Sequence, residues 1–521
     1  MSTMRKTANS AVLIMILTVG SKLVGFIREM LIAAKFGSGV ETDTFFVALT
    51  ATSLIGSLIS ATIGTTFVPI LSEIETKEGK EGKNLHVNNL INIVMILSGV
   101  FVILGYFFAP MIVKLTASGF TGDQFNLAVK LTRIGLPIIL TTGVLGSFRA
   151  YLQSEDRHAI NTIAGYALNF SYIFFLLFLA DTFGIVGMMI AVVIGSFLQI
   201  AVKLPVVHTI GYRFLPIFDV KDKYIKKVLW LAGPILLGVA INDINAIVDK
   251  TLASQLVEGS ISALNYASRI NTLVLSIFVT AITTVIFPIM SREFNRGNKQ
   301  EIVNIIRYGV NLILIVTIPA TIGMMVLATP IVEVIFLRGA FTQDNVTMTS
   351  IALIGYAVGL VGMSIRLIAS RAYYAFQDSK TVMTNSAITV GMNIILNLVL
   401  MPLLGIGGLA LATSISVTIS TVVLFYGLKK QLGQLGLKQY LTIAIKCGLA
   451  SLAMGAVSYL VYTGLISILP MSNLYNAVAL FVAVGVGAIV YAILCYVLKV
   501  DEVRNVVSRI KVMLLRRKNR H

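Results

Sequence analysis

A chain of 521 residues in which 57% are hydrophobic and only 12% are charged is not an ordinary series of soluble domains. Apolar runs of about 20 residues or more follow one another almost without a break, a pattern typical of a polytopic α-helical membrane protein. The net charge of +18 could suggest a nucleic-acid partner. The basic residues, however, lie mostly in alternate connections between the apolar runs, so we expect membrane lipids and no nucleic acid as partners.

Polar breaks divide the chain into fourteen predicted membrane-spanning helices. Their approximate bounds are 10–36, 42–71, 87–115, 125–153, 158–180, 184–208, 226–256, 260–290, 300–327, 345–376, 380–402, 406–429, 438–463 and 473–498. Connections after even-numbered spans are rich in Lys and Arg, whereas those after odd-numbered spans nearly lack them, with Arg338 as the clear exception. Because basic connections stay on the cytoplasmic side, both termini are predicted to be cytoplasmic.

Three segments of the first half return in the same order about 220 residues later. FVPILSE at 67–73 matches IFPIMSRE at 286–293, APMIVKLTASGFTGDQ at 109–124 matches TPIVEVIFLRGAFTQD at 329–344, and RAYLQSEDRHAINT at 149–162 matches RAYYAFQDSKTVMTN at 371–385. Six spans, an even number, separate the copies, so the two halves have the same orientation in the membrane. The predicted fold is an all-α polytopic membrane protein of about fourteen transmembrane helices, with two parallel six-helix repeats plus two C-terminal helices. The predicted domains are an N-lobe at 1–215, a C-lobe at 216–432, the last two spans at 433–498 and a basic cytoplasmic tail at 499–521.

Charged residues inside the predicted spans are the candidates for function, because a charge near the bilayer centre costs roughly 2.5–3.5 kcal/mol and usually faces a water-filled cavity. Lys22 and Arg28 lie in the first span and Arg269 lies in the eighth. Arg presents a planar fork of donors suited to phosphate, and Lys a point charge. Convergence of these cations from both lobes would form a cavity for an anionic head group, most naturally a pyrophosphate.

The alternative is that each cation pairs with a nearby acid, as intramembrane charges commonly do. Arg28 would then pair with Glu29 or Asp43, and Arg269 with Asp249. The two interpretations are compatible if substrate exchanges for the acid, so that Glu29 and Asp43 are resting partners within the substrate site.

A second candidate set combines Asp249 with Asn393, Asn397 and Thr413. One carboxylate with amide and hydroxyl oxygens suits a hard monovalent cation such as Na⁺. The alternative is a set of hydrogen bonds between helices, which are usually worth only about 0.6 kcal/mol each in membranes.

Enzyme signatures are not found. The sequence has no GxxxxGK[ST], no HExxH and no Ser/His/Asp arrangement, and GIGGLA at 405–410 is interpreted as a tight turn between membrane helices. We therefore expect no enzyme activity and no cofactor, and transport driven by ion gradients, membrane potential or substrate supply, with Na⁺ as a possible coupling ion.

The segments SKLVGFIRE, FGSGVETDTFFVAL, FVPILSE and YASRI resemble the MurJ (MviN) family of lipid II flippases, in the multidrug/oligosaccharidyl-lipid/polysaccharide exporter superfamily. The resemblance covers essentially the whole chain. It implies a monomer in the bacterial cytoplasmic membrane that moves undecaprenyl-pyrophosphate-linked peptidoglycan precursor from the inner to the outer leaflet by alternating access, for cell-wall synthesis. It also implies cavity roles for Lys22, Arg28, Asp43 and Arg269, a cation site at Asp249, Asn393, Asn397 and Thr413, and a groove for the lipid tail at spans thirteen and fourteen.

The second span departs from the family pattern, in which many members carry an Arg pair followed by Glu-Gly-Ala. Here no charged residue lies between Asp43 and Glu73. Gly56, Ser60 and Gly64 recur at every fourth residue, which favours close helix packing. This difference leaves export of another polyprenyl-pyrophosphate-linked polysaccharide unit as an alternative. A cation-coupled drug antiporter is less favoured, because its cavity would favour acids over the three cations.

Overall fold

The computed structural model describes residues 2–470, 472–504 and 508, and within them it contains helices and no strand. Most of the predicted basic tail lies outside the described residues. The sixteen α-helices are α1 (Ser2–Phe36), α2 (Val40–Thr116), α3 (Gly122–Gly135), α4 (Pro137–Ser154), α5 (His158–Phe178), α6 (Ala180–Thr209), α7 (Lys223–Ala253), α8 (Ser260–Val274), α9 (Thr280–Asn295), α10 (Lys299–Val326), α11 (Ala328–Phe336), α12 (Gln343–Val358), α13 (Leu360–Ala375), α14 (Ser379–Leu432), α15 (Leu437–Ile468) and α16 (Asn473–Val497). A π-helical turn, Leu275–Val279, joins α8 to α9.

Among the described residues, nine helices are long and apolar enough to cross a membrane, or eleven if each of two bent helix pairs forms one span. Two of the nine, α2 and α14, each cover two predicted spans, because Gly79 (φ 70°) and Gly405 (φ 55°) interrupt them with non-helical backbone. The first predicted span lies on α1. All fourteen predicted spans therefore lie on helices, and the tight turn predicted at GIGGLA is confirmed by the backbone of Gly405.

Glycines with left-handed backbone recur at the spacing of the sequence repeat. Gly79 (φ 70°) corresponds to Gly297 (φ 71°), and Gly184 (φ 54°) corresponds to Gly405 (φ 55°). Residues with a Cβ adopt such φ values only with strain, so glycine is the default residue at each turn. The two halves therefore turn their chains in the same way at equivalent points.

The matched R-A-Y segments also share a helix ending. The Arg157 N–H donates to the Leu152 carbonyl at 2.8 Å, and the Asp378 N–H donates to the Tyr373 carbonyl at 2.9 Å. Both bonds span five residues, as in the Schellman motif that ends many helices. The same motif at an offset of 221 residues supports the parallel repeat.

The chain forms two compact units. The first comprises residues 1–262 with 338–342, and the second comprises 263–337 with 343–521. In the first unit α2 packs on α3, α4 and α7, while α5 packs on α1 and α6. In the second unit α10 packs on α13 and α15, and α14 packs on α12 and α13. By its contacts α7 belongs to the first unit. The boundary near residue 215 between the two lobes of the sequence repeat stays a prediction.

The connection between α6 and α7 is held by polar side chains of α2. Asn89 Nδ2 donates to the Asp219 carbonyl at 2.8 Å and to Asp222 Oδ2 at 3.0 Å. The His86 imidazole lies between two carboxylates, with Nδ1 2.5 Å from Asp222 Oδ2 and Nε2 2.8 Å from Glu78 Oε2. Because Asp222 also caps the N-terminus of α7, this cluster fixes where α7 begins.

Candidate functional site

Arg28 is held on α1 by three neighbours. Its Nη2 donates to Glu29 Oε1 at 2.6 Å, its Nη1 donates to Asn169 Oδ1 at 3.1 Å, and its Cζ lies 4.6 Å from the centre of the Tyr172 ring. The side chains of Arg28 and Glu29 are 16% and 2% exposed. The acid that pairs with Arg28 in this structure is therefore Glu29, one of the two partners predicted for it.

Small residues on α1 let α5 approach closely enough to supply these contacts. A Cβ placed on Gly20 would lie 2.3 Å from the hydroxyl oxygen of Tyr166, which donates to the Leu17 carbonyl at 2.8 Å. One turn further along α5, Asn169 reaches the arginine and its Nδ2 donates to the Ser21 carbonyl at 3.4 Å. Side chains of α1 and α5 together therefore hold the arginine in place.

Asp43, the other predicted partner of Arg28, has different partners in this structure. Its Oδ2 accepts from the Gly259 N–H at 2.8 Å, and its Oδ1 accepts from the N–H and the hydroxyl of Ser262, each at 2.7 Å. The Ser38 hydroxyl donates to the Gly259 carbonyl at 2.8 Å. Asp43 is 2% exposed, so its carboxylate serves as a buried acceptor for the connection before α8.

Other connections after odd-numbered spans also meet within the first unit. The Ala340 N–H donates to the Ala34 carbonyl at 2.8 Å, and a Cβ on Gly339 would lie 2.1 Å from the same carbonyl oxygen. The Gly119 N–H donates to the Ser254 hydroxyl at 3.0 Å. At the end predicted to face outward, these connections are joined by hydrogen bonds from backbone N–H groups, and a Cβ on Gly119 or Gly339 would lie only 2.1 Å from a backbone oxygen.

The remaining predicted cations are divided between the two units. Lys22 is exposed on α1 and belongs to the first unit, whereas Arg269 is exposed on α8 and belongs to the second. Convergence of Lys22 and Arg28 with Arg269 on one cavity stays a prediction.

The predicted cation ligands of the second unit bond to one another. Asn397 Nδ2 donates to Asn393 Oδ1 at 3.0 Å, and Asn393 Nδ2 donates to Thr413 Oγ1 at 3.3 Å. Asp249 belongs to the first unit, where Asn245 Nδ2 donates to its Oδ2 at 3.0 Å. These contacts resemble the alternative to a cation site, in which the polar side chains form hydrogen bonds with one another. In the part of the chain that the structure describes, no group of three or more His, Cys, Asp and Glu residues is placed to hold a metal ion.

Two further contacts of embedded charges are not predicted by the sequence. The Ser57 hydroxyl on α2 donates to Asp243 Oδ2 on α7 at 2.9 Å, so the uncharged second span has an acid beside it. Lys35 Nζ lies 2.9 Å from Asp181 Oδ2 at the start of α6. Asp243 and Lys35 stand out in the sequence as charges in apolar runs, but their partners come from distant helices.

Comparison with known proteins agrees with this architecture. The family model of the lipid II flippase MurJ matches residues 32–443. A probable lipid II flippase MurJ of Buchnera aphidicola subsp. Acyrthosiphon pisum is 30% identical over 406 residues, which cover 77% of this chain and 80% of the relative. The lipid II flippase MurJ of Burkholderia cenocepacia is 29% identical over 435 residues, covering 80% and 82%. The chain belongs to the lipid II flippase MurJ family.

Solved structures agree. A lipid II flippase MurJ in an inward closed conformation superposes with a TM-score of 0.78 at 27% identity, covering 94% of this chain and 99% of the other. An inward-facing multidrug resistance MATE family transporter of the MOP superfamily gives a TM-score of 0.70 at 14% identity, covering 80% and 95%, and shares the fold alone. The chain is therefore a multi-pass membrane transporter of the bacterial cytoplasmic membrane with a lipid-linked substrate, and it is not an enzyme.

Proposed function

We propose that this flippase moves lipid II from the inner to the outer leaflet by alternating access, and that Arg28 is the principal pyrophosphate ligand of its first unit. The observation that carries this proposal is the preformed setting of Arg28 between Glu29, Asn169 and Tyr172. A cation kept largely out of water and fixed in direction binds an anion with little loss of side-chain entropy. Lys22 and Arg269 are the other proposed head-group ligands.

The guanidinium of Arg28 has hydrogen-bonding capacity to spare. It carries five N–H donors, of which two are directed at Glu29 and Asn169, and its buried Nε has no hydrogen-bond partner among the described residues. A phosphate oxygen can accept from these remaining donors and can replace the carboxylate of Glu29 in a bidentate contact. In this scheme Glu29 neutralises the site between transport cycles.

The hydrogen bonds of Asp43 set the proposed outer gate of the first unit. While the carboxylate holds Gly259 and Ser262, the connection before α8 stays tied to the beginning of α2. Release of those three bonds would free the connection when the outer side opens. The distribution of basic connections supports an outer position for this gate and cytoplasmic positions for both termini. The protein is proposed to act as a monomer.

Membrane potential is the proposed driving force. It supplies about 2.3 kcal/mol per charge per 100 mV, and with a negative interior it favours outward movement of an anionic head group. It also favours inward return of an empty site that carries net positive charge. Coupling to Na⁺ at Asp249, Asn393, Asn397 and Thr413 is proposed only as an addition to this cycle.

The substrate is tested by depletion of the protein from growing cells. Lipid II should accumulate on the inner leaflet. In spheroplasts, a smaller fraction of it should then be accessible to a membrane-impermeant probe added from outside. An unchanged lipid II distribution with accumulation of another lipid-linked glycan would establish the alternative substrate.

The site is tested by complementation with point variants at matched membrane levels. Arg28→Ala and Arg269→Ala should abolish transport, and Arg28→Lys should lower it strongly because Lys keeps the charge but loses the planar fork. Lys35→Ala is the control, since Lys35 pairs with the exposed Asp181 at the start of α6 and its loss should leave transport intact. Full activity of both alanine variants would refute the cationic site.

A further inference from the structure

An apolar groove opens on the second unit, and its lining residues include none of those proposed for the head group or for Na⁺. It shares α15 with the lipid-tail groove that is predicted at spans thirteen and fourteen. It has a volume of about 410 Å³ and lies between α10, α13, α14 and α15. Val310, Leu314, Phe425 and Leu441 are among the side chains that line it, and Lys429 stands at its edge. A groove of this composition suits a hydrocarbon chain beside an anionic group.

Two buried donors beside this groove have no acceptor. Tyr440 lines the groove and is 8% exposed, and its buried hydroxyl has no hydrogen-bond partner among the described residues. The Nε of Arg307 on α10 is also buried, and no hydrogen-bond partner for it lies in the part of the chain that the structure describes. Buried polar groups are normally paired, so two orphan donors require an explanation.

Arg307 Nε and the backbone of Tyr440 both lie beside Gly436, at the beginning of α15. A Cβ on Gly436 would lie 2.9 Å from Arg307 Nε, and the Tyr440 N–H donates to the Gly436 carbonyl at 3.3 Å. The tyrosine oxygen can accept from an arginine N–H, but an arginine has no acceptor for the tyrosine O–H, so the pair by itself leaves that hydrogen unpaired. The group that is missing must be an acceptor.

The beginning of α15 adds to this preference. Gly436 is its N-cap residue and supplies no side-chain hydrogen bond to the first turn. The first N–H groups and the macrodipole of a helix favour a negative group at this position. Lys429 in the last turn of α14 contributes a further positive charge.

We propose that this groove binds an anionic phospholipid, with one acyl chain between α10, α14 and α15 and the phosphate accepting from Tyr440 and Arg307 beside Lys429. A free phosphate would satisfy the donors but leave the groove empty of chain, whereas an acyl chain without an anionic head group would leave the donors unpaired. Only an anionic amphiphile accounts for both observations. The donors also lie at the end of α10, α14 and α15 that is predicted to be cytoplasmic, where anionic lipid attracts basic side chains.

The test uses the full chain purified in detergent, with lipid binding measured by native mass spectrometry and by the thermal shift on lipid addition. The probes are dioleoyl-phosphatidylglycerol, dioleoyl-phosphatidylcholine and inorganic phosphate. Tyr440→Phe and Arg307→Gln each remove one orphan donor and should weaken phosphatidylglycerol binding roughly tenfold or more, as expected for a lost hydrogen bond to a charged group. Tyr426→Phe is the matched control, because Tyr426 lines the same groove but is largely exposed, and it should change binding less than twofold.

The Tm of the lipid-free protein is a second measurement, and it shows whether the Tyr440 hydroxyl already has a hydrogen-bond partner without lipid. If the hydroxyl of Tyr440 lacks a partner without lipid, Tyr440→Phe should leave the Tm of the lipid-free protein unchanged or higher. A lower Tm of that lipid-free variant would show that water or protein already pairs the hydroxyl, and would overturn the proposal. Equal binding of phosphatidylcholine, equal thermal stabilisation by inorganic phosphate, or undiminished phosphatidylglycerol binding by both donor variants would also overturn it.

Discussion

Replacing Asp43 with alanine removes the acceptor of three buried hydrogen bonds. The hydroxyl of Ser262 can turn to the Gly259 carbonyl, which lies 3.1 Å away, but the N–H groups of Gly259 and Ser262 lose their acceptor. Each buried N–H without a partner costs about 1–3 kcal/mol. The variant should therefore lose about 2–6 kcal/mol of stability at this connection, and since 1.4 kcal/mol is tenfold, local opening should increase at least roughly 30-fold.

Hydrogen exchange followed by mass spectrometry measures this opening directly. In detergent micelles, Asp43→Ala should accelerate exchange in peptides covering 257–264, while peptides from α15 and α16 serve as an internal reference. Asp43→Asn should be intermediate, because its amide oxygen can still accept from Ser262 while its NH₂ faces the donor of Gly259. Glu41→Ala is the matched control, since Glu41 is an exposed acid in the same first turn.

Unchanged exchange at 257–264 in Asp43→Ala would refute the assignment of this carboxylate as the acceptor. Acceleration of equal size in Glu41→Ala would show instead that any loss of negative charge near the start of α2 opens the connection. The expected pattern is strong, intermediate and absent acceleration in Asp43→Ala, Asp43→Asn and Glu41→Ala.

Four further outcomes are expected. Burial raises the pKa of Asp222, but its hydrogen bonds outweigh burial and lower the pKa below its usual value. The stabilising contribution of Asp222 is therefore present above about pH 4 and is lost as the pH falls through the folded pKa. In thermal unfolding measured against pH, Asp222→Asn should reduce the loss of stability at acid pH. Gly339→Ala should abolish transport at normal membrane levels, since its Cβ would lie 2.1 Å from the Ala34 carbonyl oxygen and its φ is +58°; wild-type activity would contradict this close approach. Lys83→Met should destabilise the protein by about 2–3 kcal/mol in chemical denaturation. The ammonium of Lys83 pairs with Glu75 and Glu155, and its removal leaves these two partly buried carboxylates without their shared cation. Asn393→Ala should leave the response of transport to Na⁺ concentration the same as in the wild type if its hydrogen bonds are structural, whereas loss of a Na⁺ dependence that the wild type shows would support the cation site.

Much of the fold follows from local properties of the sequence. Continuous apolar runs predict helices that cross a bilayer because backbone groups in lipid must bond within their own segment. The repeat likewise follows from local sequence, as Gly79 and Gly297 show by taking nearly the same φ at equivalent turns. The extent of each helix is less accessible, since α2 and α14 continue through connections that the polar pattern separates into two spans.

The candidate site is predicted in part. Lys22, Arg28 and Arg269 stand out because a charge in an apolar run is costly and therefore carries a purpose. Glu29 is a predictable partner of Arg28 because it is adjacent in the chain. Asn169, which contacts the same guanidinium, could not be predicted, because its 141-residue separation is bridged only when α5 packs on α1.

The fold class, the spans, the repeat and the presence of embedded charge can be predicted from the residues alone, since these properties depend on composition and on neighbours along the chain. The folded chain is needed to show which acid pairs with Arg28 and that Asp43 accepts from the connection before α8. It alone brought together the orphan donors of Arg307 and Tyr440. The physical reason is that hydrogen bonds act over about 3 Å, and no pattern along one helix states which distant group will lie at that distance.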